Sequence, residues 1–221
     1  MKARTLCLIP AKGGSTRLAG KNVIALGGKP LLGWAIDAAR ESGLMDRIVV
    51  STEDGDIARI ARELGAEVPF MRAAHLARDP AGVVDVALHA LEELQAQGDE
   101  YPRLVILLPT CPLRSAGDIR AAMELFERED GRFLMSVSRY EHTPFAALQL
   151  GADHRLQPHF PQYIGRKSQE MPGAWRANGA IHVLDVAAFR AARSYYAQPL
   201  IRSEEHTSEL QSRGLISYAV F

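Results

Sequence analysis

Four apolar runs punctuate the chain: TLCLI (5–9), RIVVS (47–51), RLVILLP (103–109) and FLMSVS (133–138). Each is continuous rather than alternating, the pattern of a strand covered on both faces. Between them the apolar positions switch to helical spacing. PLLGWAIDAARES places Pro30 at a helix start, and DGDIARIARELG has aspartates ahead of its helix and Gly65 behind the last turn. VDVALHALEELQAQG and SAGDIRAAMELFERE repeat that spacing. Strand and helix alternate, so the fold class is α/β: a mainly parallel sheet with helices on both faces and any ligand at the carboxyl ends of the strands.

Residues 140–177 break the rhythm with Pro144, Pro158, Pro161, Pro172 and scattered aromatics. They read as an excursion, a lid or an oligomerisation arm, before GAIHVLDVAAFRAAR resumes strand and helix.

With 221 residues, 47% of them hydrophobic, the chain has enough apolar surface for a proper core. Lys+Arg and Asp+Glu balance at 26 each, so no overall field favours nucleic acid or an anionic membrane. A phosphate ligand then requires a local cluster. Cys7 and Cys111 have neither metal-ligand spacing nor a disulfide framework, and no stretch approaches a membrane span, which points to a cytoplasmic protein. His75, His89, His142, His154, His159 and His182 show no metal spacing and are assigned no role.

The local cluster lies in LCLIPAKGGSTRLAGKN, residues 6–22. Gly13 and Gly14 allow backbone N–H groups to point into one concavity, and Lys12, Arg17 and Lys21 add positive charge, a combination suited to a polyphosphate. The dinucleotide pattern G-x-G-x-x-G is absent. A Walker loop also fails, because Gly14 and Gly20 enclose five residues and Asn22 follows Lys21. Composition alone leaves a solvated basic turn as the alternative; the position after the first strand favours a ligand loop.

IPAKGGSTRLAGKN resembles the signature loop of the acylneuraminate (nonulosonate) cytidylyltransferases, which make CMP-activated sialic-acid-type sugars. The resemblance continues through GGKPLLGWAIDAA, VVSTEDGDIARIARELGAEVPFMR, HLARDPAG, DVALHAL, LLPTCPLRS, MSVSRYEHTPF and SQEMPGAWRANGAIHVLD, nearly to residue 190. It implies a three-layer, Rossmann-like sheet of the nucleotide-diphospho-sugar transferase type with a protruding dimerisation arm, hence a homodimer. It also implies CTP and a nonulosonic acid as substrates, and attack by the sugar's anomeric hydroxyl on the α-phosphate with loss of pyrophosphate.

By the same resemblance Lys12 and Lys21 are the catalytic cations, and Gly13, Gly14, Ser15, Asn22, Arg72 and Thr110 bind nucleotide. Arg166, Lys167, Gln169 and Asn178 are the sugar-side residues, in and after the arm. Three departures stand out: Lys12 replaces the usual arginine, Leu108 replaces a common glutamine, and Gly82–Val83 replace a serine at a helix start.

The resemblance implies Mg²⁺ held by a C-terminal Asp-x-Asp, which this chain lacks. RSEEHTSELQS, residues 202–212, reads as the conceptual translation of a widely used sequencing adapter. The expectation is therefore a domain over 1–201, a non-native read-through tail over 202–221, and a chain as written that is inactive or nearly so. Two other readings stay open, a non-catalytic nucleotide-binding protein of the same fold and a related sugar nucleotidyltransferase with another substrate.

Overall fold

The computed structural model describes residues 3–14, 18 and 20–204. In chain order the elements are β1 (Thr5–Pro10), β2 (Ala25–Leu26), β3 (Lys29–Pro30), α1 (Leu31–Ser42), β4 (Arg47–Ser51), α2 (Gly55–Glu63), α3 (Val83–Ala96), β5 (Arg103–Ile106), α4 (Ala116–Arg128), β6 (Phe133–Arg139), β7 (Leu148–Leu150), β8 (Leu156–Pro158), β9 (Trp175–Asp185), α5 (Val186–Ala192) and β10 (Leu200–Glu204). One six-stranded sheet runs β10-β6-β9-β5-β1-β4. The pairs β1–β4, β1–β5 and β10–β6 are parallel, and β9 runs antiparallel to both its neighbours. The expected mainly parallel sheet is observed, with β9 as its one reversed strand.

Thr5 to Ile9 are all buried because each face of β1 meets a helical layer. Cys7 and Ile9 join Val105 and Leu107 against α1, α2 and α4. Leu6 and Leu8 join Leu104 and Ile106 against α3 and α5. Side chains alternate across a strand, so a continuous apolar run feeds two cores at once. Asp54 caps α2 by accepting from the Asp56 and Ile57 N–H groups, and Ser115 caps α4 through the Asp118 N–H. Gly43 (φ 68°) and Gly65 (φ 87°) take the left-handed turns behind α1 and α2.

β5 stops at Ile106, three residues short of the apolar run that predicts it. Leu107 still donates to the Leu8 carbonyl (3.1 Å), but Pro109 has no N–H to offer a ladder, and the chain turns over the sheet's carboxyl edge. Opposite, the β6–β9 register shifts between Met135 and Val137. Within that irregularity Gly179 adopts φ 74°, and Asn178 projects at the same edge.

Between Arg139 and Trp175 the chain leaves the sheet as expected. It builds the β7–β8 hairpin and an aromatic cluster in which Phe145 meets Phe160 and Tyr163 at 5.4 and 4.7 Å between ring centroids. Leu148, Leu150, Leu156 and Ile164 of this excursion are each more than half exposed. β9 begins at Trp175, so the expected arm overlaps the first residues of that strand. β10 continues through 202–204 of the segment expected to be non-native, with the Arg202 guanidinium 4.4 Å from the Trp175 ring centre; the rest of that segment lies outside the described residues. Among the described residues no helix is long and apolar enough to cross a membrane.

Candidate functional site

β1 and β5 lie side by side and in parallel, so the segments following them emerge together at one edge of the sheet. A cavity of about 250 Å³ opens there. Pro10 and Lys12 wall it after β1, Leu108, Pro109 and Thr110 after β5, and Gly82, Val83 and Val86 at the start of α3; Lys21, Asn22, Arg72, Leu76 and Ala81 close the rest. Five residues expected at the site, Lys12, Lys21, Asn22, Arg72 and Thr110, thus share one wall.

Local structure explains how each arrives. Gly20 takes φ 62° and starts a 3-10 turn over Lys21–Val23, which aims Asn22 inward. Asn22 is 4% exposed, and its Nδ2 donates to the Lys12 carbonyl (2.8 Å), pinning the turn to the strand end. Arg72 is equally buried: its Nε donates to Ser51 Oγ (3.1 Å), Nη2 donates to the Ser51 carbonyl, and Nη1 lies 3.6 Å from Glu53 Oε2. Burial pulls the guanidinium below its ordinary pKa, and the Glu53 charge works in the opposite direction. Arginine's intrinsic value is so high that it remains a cation at neutral pH.

Among the described residues the cavity wall therefore carries three basic side chains, Lys12, Lys21 and Arg72, and no carboxylate. α3 adds its amino end, where the aligned peptide dipoles favour an anion. Gly82 and Val83 bring no polar side chain to that end, and the Gly82 N–H already donates to Asp85 Oδ2 (2.8 Å) in the first turn, so a ligand there would meet the N–H groups that follow. Cys7, beneath the loop, is fully buried; burial pushes its thiol up to about 12, so it supplies no thiolate nucleophile.

The remaining expected residues are placed differently. Gly13 adjoins the cavity without lining it, and its N–H donates to Glu53 Oε1 (2.8 Å) rather than into the concavity expected for it. Gly14 is exposed, and Ser15 lies outside the described residues together with Arg17. Arg166, Lys167 and Gln169 sit exposed on the excursion, away from this cavity. Asn178 is half-buried: its Oδ1 accepts from Ser136 Oγ (2.5 Å) and the Ala180 N–H (3.1 Å), and its Nδ2 donates to Ser138 Oγ (3.2 Å). In this chain it knits the β6–β9 irregularity.

Glu53 was invisible to motif reading. Its only sequence signal is an acid between the strand end and the helix-capping Asp54. Leu108 packs at the cavity wall, where Gly179 approaches so closely that an added Cβ would lie 2.9 Å from Leu108 Cδ1.

Among the described residues no three His, Cys, Asp or Glu side chains form a group able to hold a metal ion. With no carboxylate among the described lining residues, these residues do not fit a Mg²⁺ bound through protein ligands.

The family described as Cytidylyltransferase matches residues 6–142. The pseudaminic acid cytidylyltransferase of Campylobacter jejuni is 32% identical over 179 residues, which cover 81% of this chain and 77% of that protein. The CMP-N,N'-diacetyllegionaminic acid synthase of Legionella pneumophila is 33% identical over 197 residues, 89% of this chain and 84% of that one. Among solved structures, a CMP:2-keto-3-deoxy-manno-octonic acid synthetase complexed with CTP superposes with a TM-score of 0.70 at 12% identity, covering 98% of both chains. A 4-diphosphocytidyl-2C-methyl-D-erythritol synthase from Anaerococcus prevotii gives a TM-score of 0.64 at 10% identity, over 99% of this chain and 97% of that one. These two likenesses speak for the fold, and the sequence matches speak for kinship: the chain belongs to the cytidylyltransferase family.

Proposed function

We propose that the cavity binds CTP and that the protein to which this chain belongs transfers its cytidylyl group to a sialic-acid-like nonulosonic acid. The carrying observation is the convergence of Lys12, Lys21, Arg72 and the amino end of α3 on one cavity at the carboxyl edge of the sheet. That arrangement suits a triphosphate, whose charge is spread over many oxygens and needs several donors at once. The sugars named for the relatives above supply the acceptor class.

In the proposed reaction the anomeric hydroxyl oxygen attacks the α-phosphorus. The new O–P bond forms as the bond from the α-phosphorus to the bridging β-phosphate oxygen breaks, the hydroxyl proton passes to solvent, and pyrophosphate leaves with its charge neutralised. Lys12 and Lys21 would hold the phosphates and stabilise the departing charge; Arg72, fixed by Ser51 and Glu53, would orient the nucleoside side. Arg166, Lys167 and Gln169 would meet the sugar from the excursion, whose exposed Leu148, Leu150, Leu156 and Ile164 suit a second copy of the chain, giving a homodimer in the cytoplasm.

Pyrophosphate release, measured with CTP and a panel of nonulosonic acids, tests this reading. Release that requires both CTP and one of these sugars is expected of an active protein. CTP binding without release on any sugar would favour the non-catalytic nucleotide-binding alternative.

A further inference from the structure

The segment after β4 does more than cap α2. Glu53 Oε1 accepts the Gly13 N–H at 2.8 Å, which fixes the glycine loop from below. Its other oxygen is buried, has no hydrogen bond among the described residues, and faces Arg72 Nη1 at 3.6 Å. Arg72 is also held by the segment's own backbone, since its N–H donates to the Thr52 carbonyl at 2.8 Å. Gly13 presses on the same turn: an added Cβ would lie 2.4 Å from Asp54 Oδ2. One carboxylate therefore touches both the segment that follows β1 and the arginine of the cavity wall.

We propose that Glu53 is a positioning residue for nucleotide binding, tying the Gly13 loop to Arg72 so that both hold the geometry CTP requires. Two features carry this. Arg72 is a buried cation whose single ion-pair partner among the described residues is Glu53, so that carboxylate is the charge that compensates the guanidinium the Ser51 bonds orient. The Gly13 N–H, held by Glu53 Oε1, fixes the backbone immediately after Lys12, a residue of the cavity wall. Glu53 itself does not line the cavity. It acts through Gly13 and Arg72 rather than on the substrate, and the inference rests on the nucleotide reading above.

The substitutions Glu53→Gln and Glu53→Ala separate the two contacts. Glutamine keeps an acceptor for the Gly13 N–H and removes the charge facing Arg72; alanine removes both. CTP dissociation constants are measured by calorimetry on the full chain, alongside melting temperatures and in an Arg72→Lys background. Glu53→Gln is expected to weaken CTP about fivefold and Glu53→Ala about twentyfold, with the Gln effect shrinking below about twofold in Arg72→Lys. A merely structural Glu53 would lower the melting temperature without that dependence on Arg72. CTP affinities within twofold of the parent for both variants, or a Gln effect undiminished in Arg72→Lys, would overturn the inference alone. A parent chain that binds no CTP would overturn it together with the nucleotide reading.

Discussion

Asn22 Nδ2 donates to the Lys12 carbonyl across 2.8 Å, so two residues ten apart in sequence close the glycine loop into a ring. The bond is buried at the Asn22 end and partly buried at Lys12. Replacing Asn22 with alanine orphans the Lys12 carbonyl and is expected to destabilise the fold by about 1–2 kcal/mol. Because the ring sets where Lys12 and Lys21 stand, CTP affinity should fall as well. Asn22→Asp places an acceptor against an acceptor and should do no better than alanine. Urea midpoints with calorimetric CTP titration check both effects; a stable Asn22→Ala chain that binds CTP normally would show that the ring is dispensable.

Gly13 and Gly14 are adjacent and predict opposite outcomes. A Cβ on Gly13 would collide with Asp54, the cap of α2, whereas one on Gly14 meets nothing within 4 Å among the described residues. Gly13→Ala should cost about 1–3 kcal/mol, by forcing apart the loop and the helix cap, while Gly14→Ala should be near neutral for stability. Thermal melts of the two variants decide it.

Lys12 is an ammonium where the resemblance leads one to expect an arginine. Lys12→Ala should weaken CTP about tenfold, and Lys12→Arg should bind at least as tightly as the parent, because a planar fork can grip two phosphate oxygens. A weaker Lys12→Arg chain would mean that the cavity has been shaped around the smaller ammonium.

His182 lies in β9 against Tyr195, with ring centres 4.7 Å apart, and burial lowers its pKa to about 4. An unfolded histidine takes its proton near 6.5, so the folded state excludes a proton that the unfolded chain accepts between those values. The corresponding stability is fully present above about pH 6.5 and falls away as the pH drops toward 4, by on the order of 3 kcal/mol. Urea midpoints at pH 7 and pH 4.5 should differ more for the parent than for His182→Leu. Equal pH dependence in the two proteins would remove His182 as the cause.

Much of this was legible in the amino-acid order, for identifiable reasons. TLCLI and RIVVS become β1 and β4 because unbroken apolar runs need two covered faces, and Asp54, Ser115 and Gly65 mark helix ends through chemistry that works locally. Lys12, Lys21, Asn22, Arg72 and Thr110 could be named because their motifs resemble the family's in order along the chain, and the fold brings them to one cavity. What escaped depends on three-dimensional proximity. No spacing rule brings Glu53 to Gly13 forty residues away, and none reverses β9 between β5 and β6. Nor does any spacing rule show that Asn178 bonds Ser136 and Ser138 at the β6–β9 register shift.

The most direct test of the central claim is calorimetric titration of the chain with CTP, UTP, ATP and GTP, alongside Arg72→Ala. Saturable CTP binding, weaker binding of the other three nucleotides, and loss of CTP binding in the variant are the expected results. Absence of CTP binding, or four nucleotides bound alike and unaffected by Arg72→Ala, would contradict the claim.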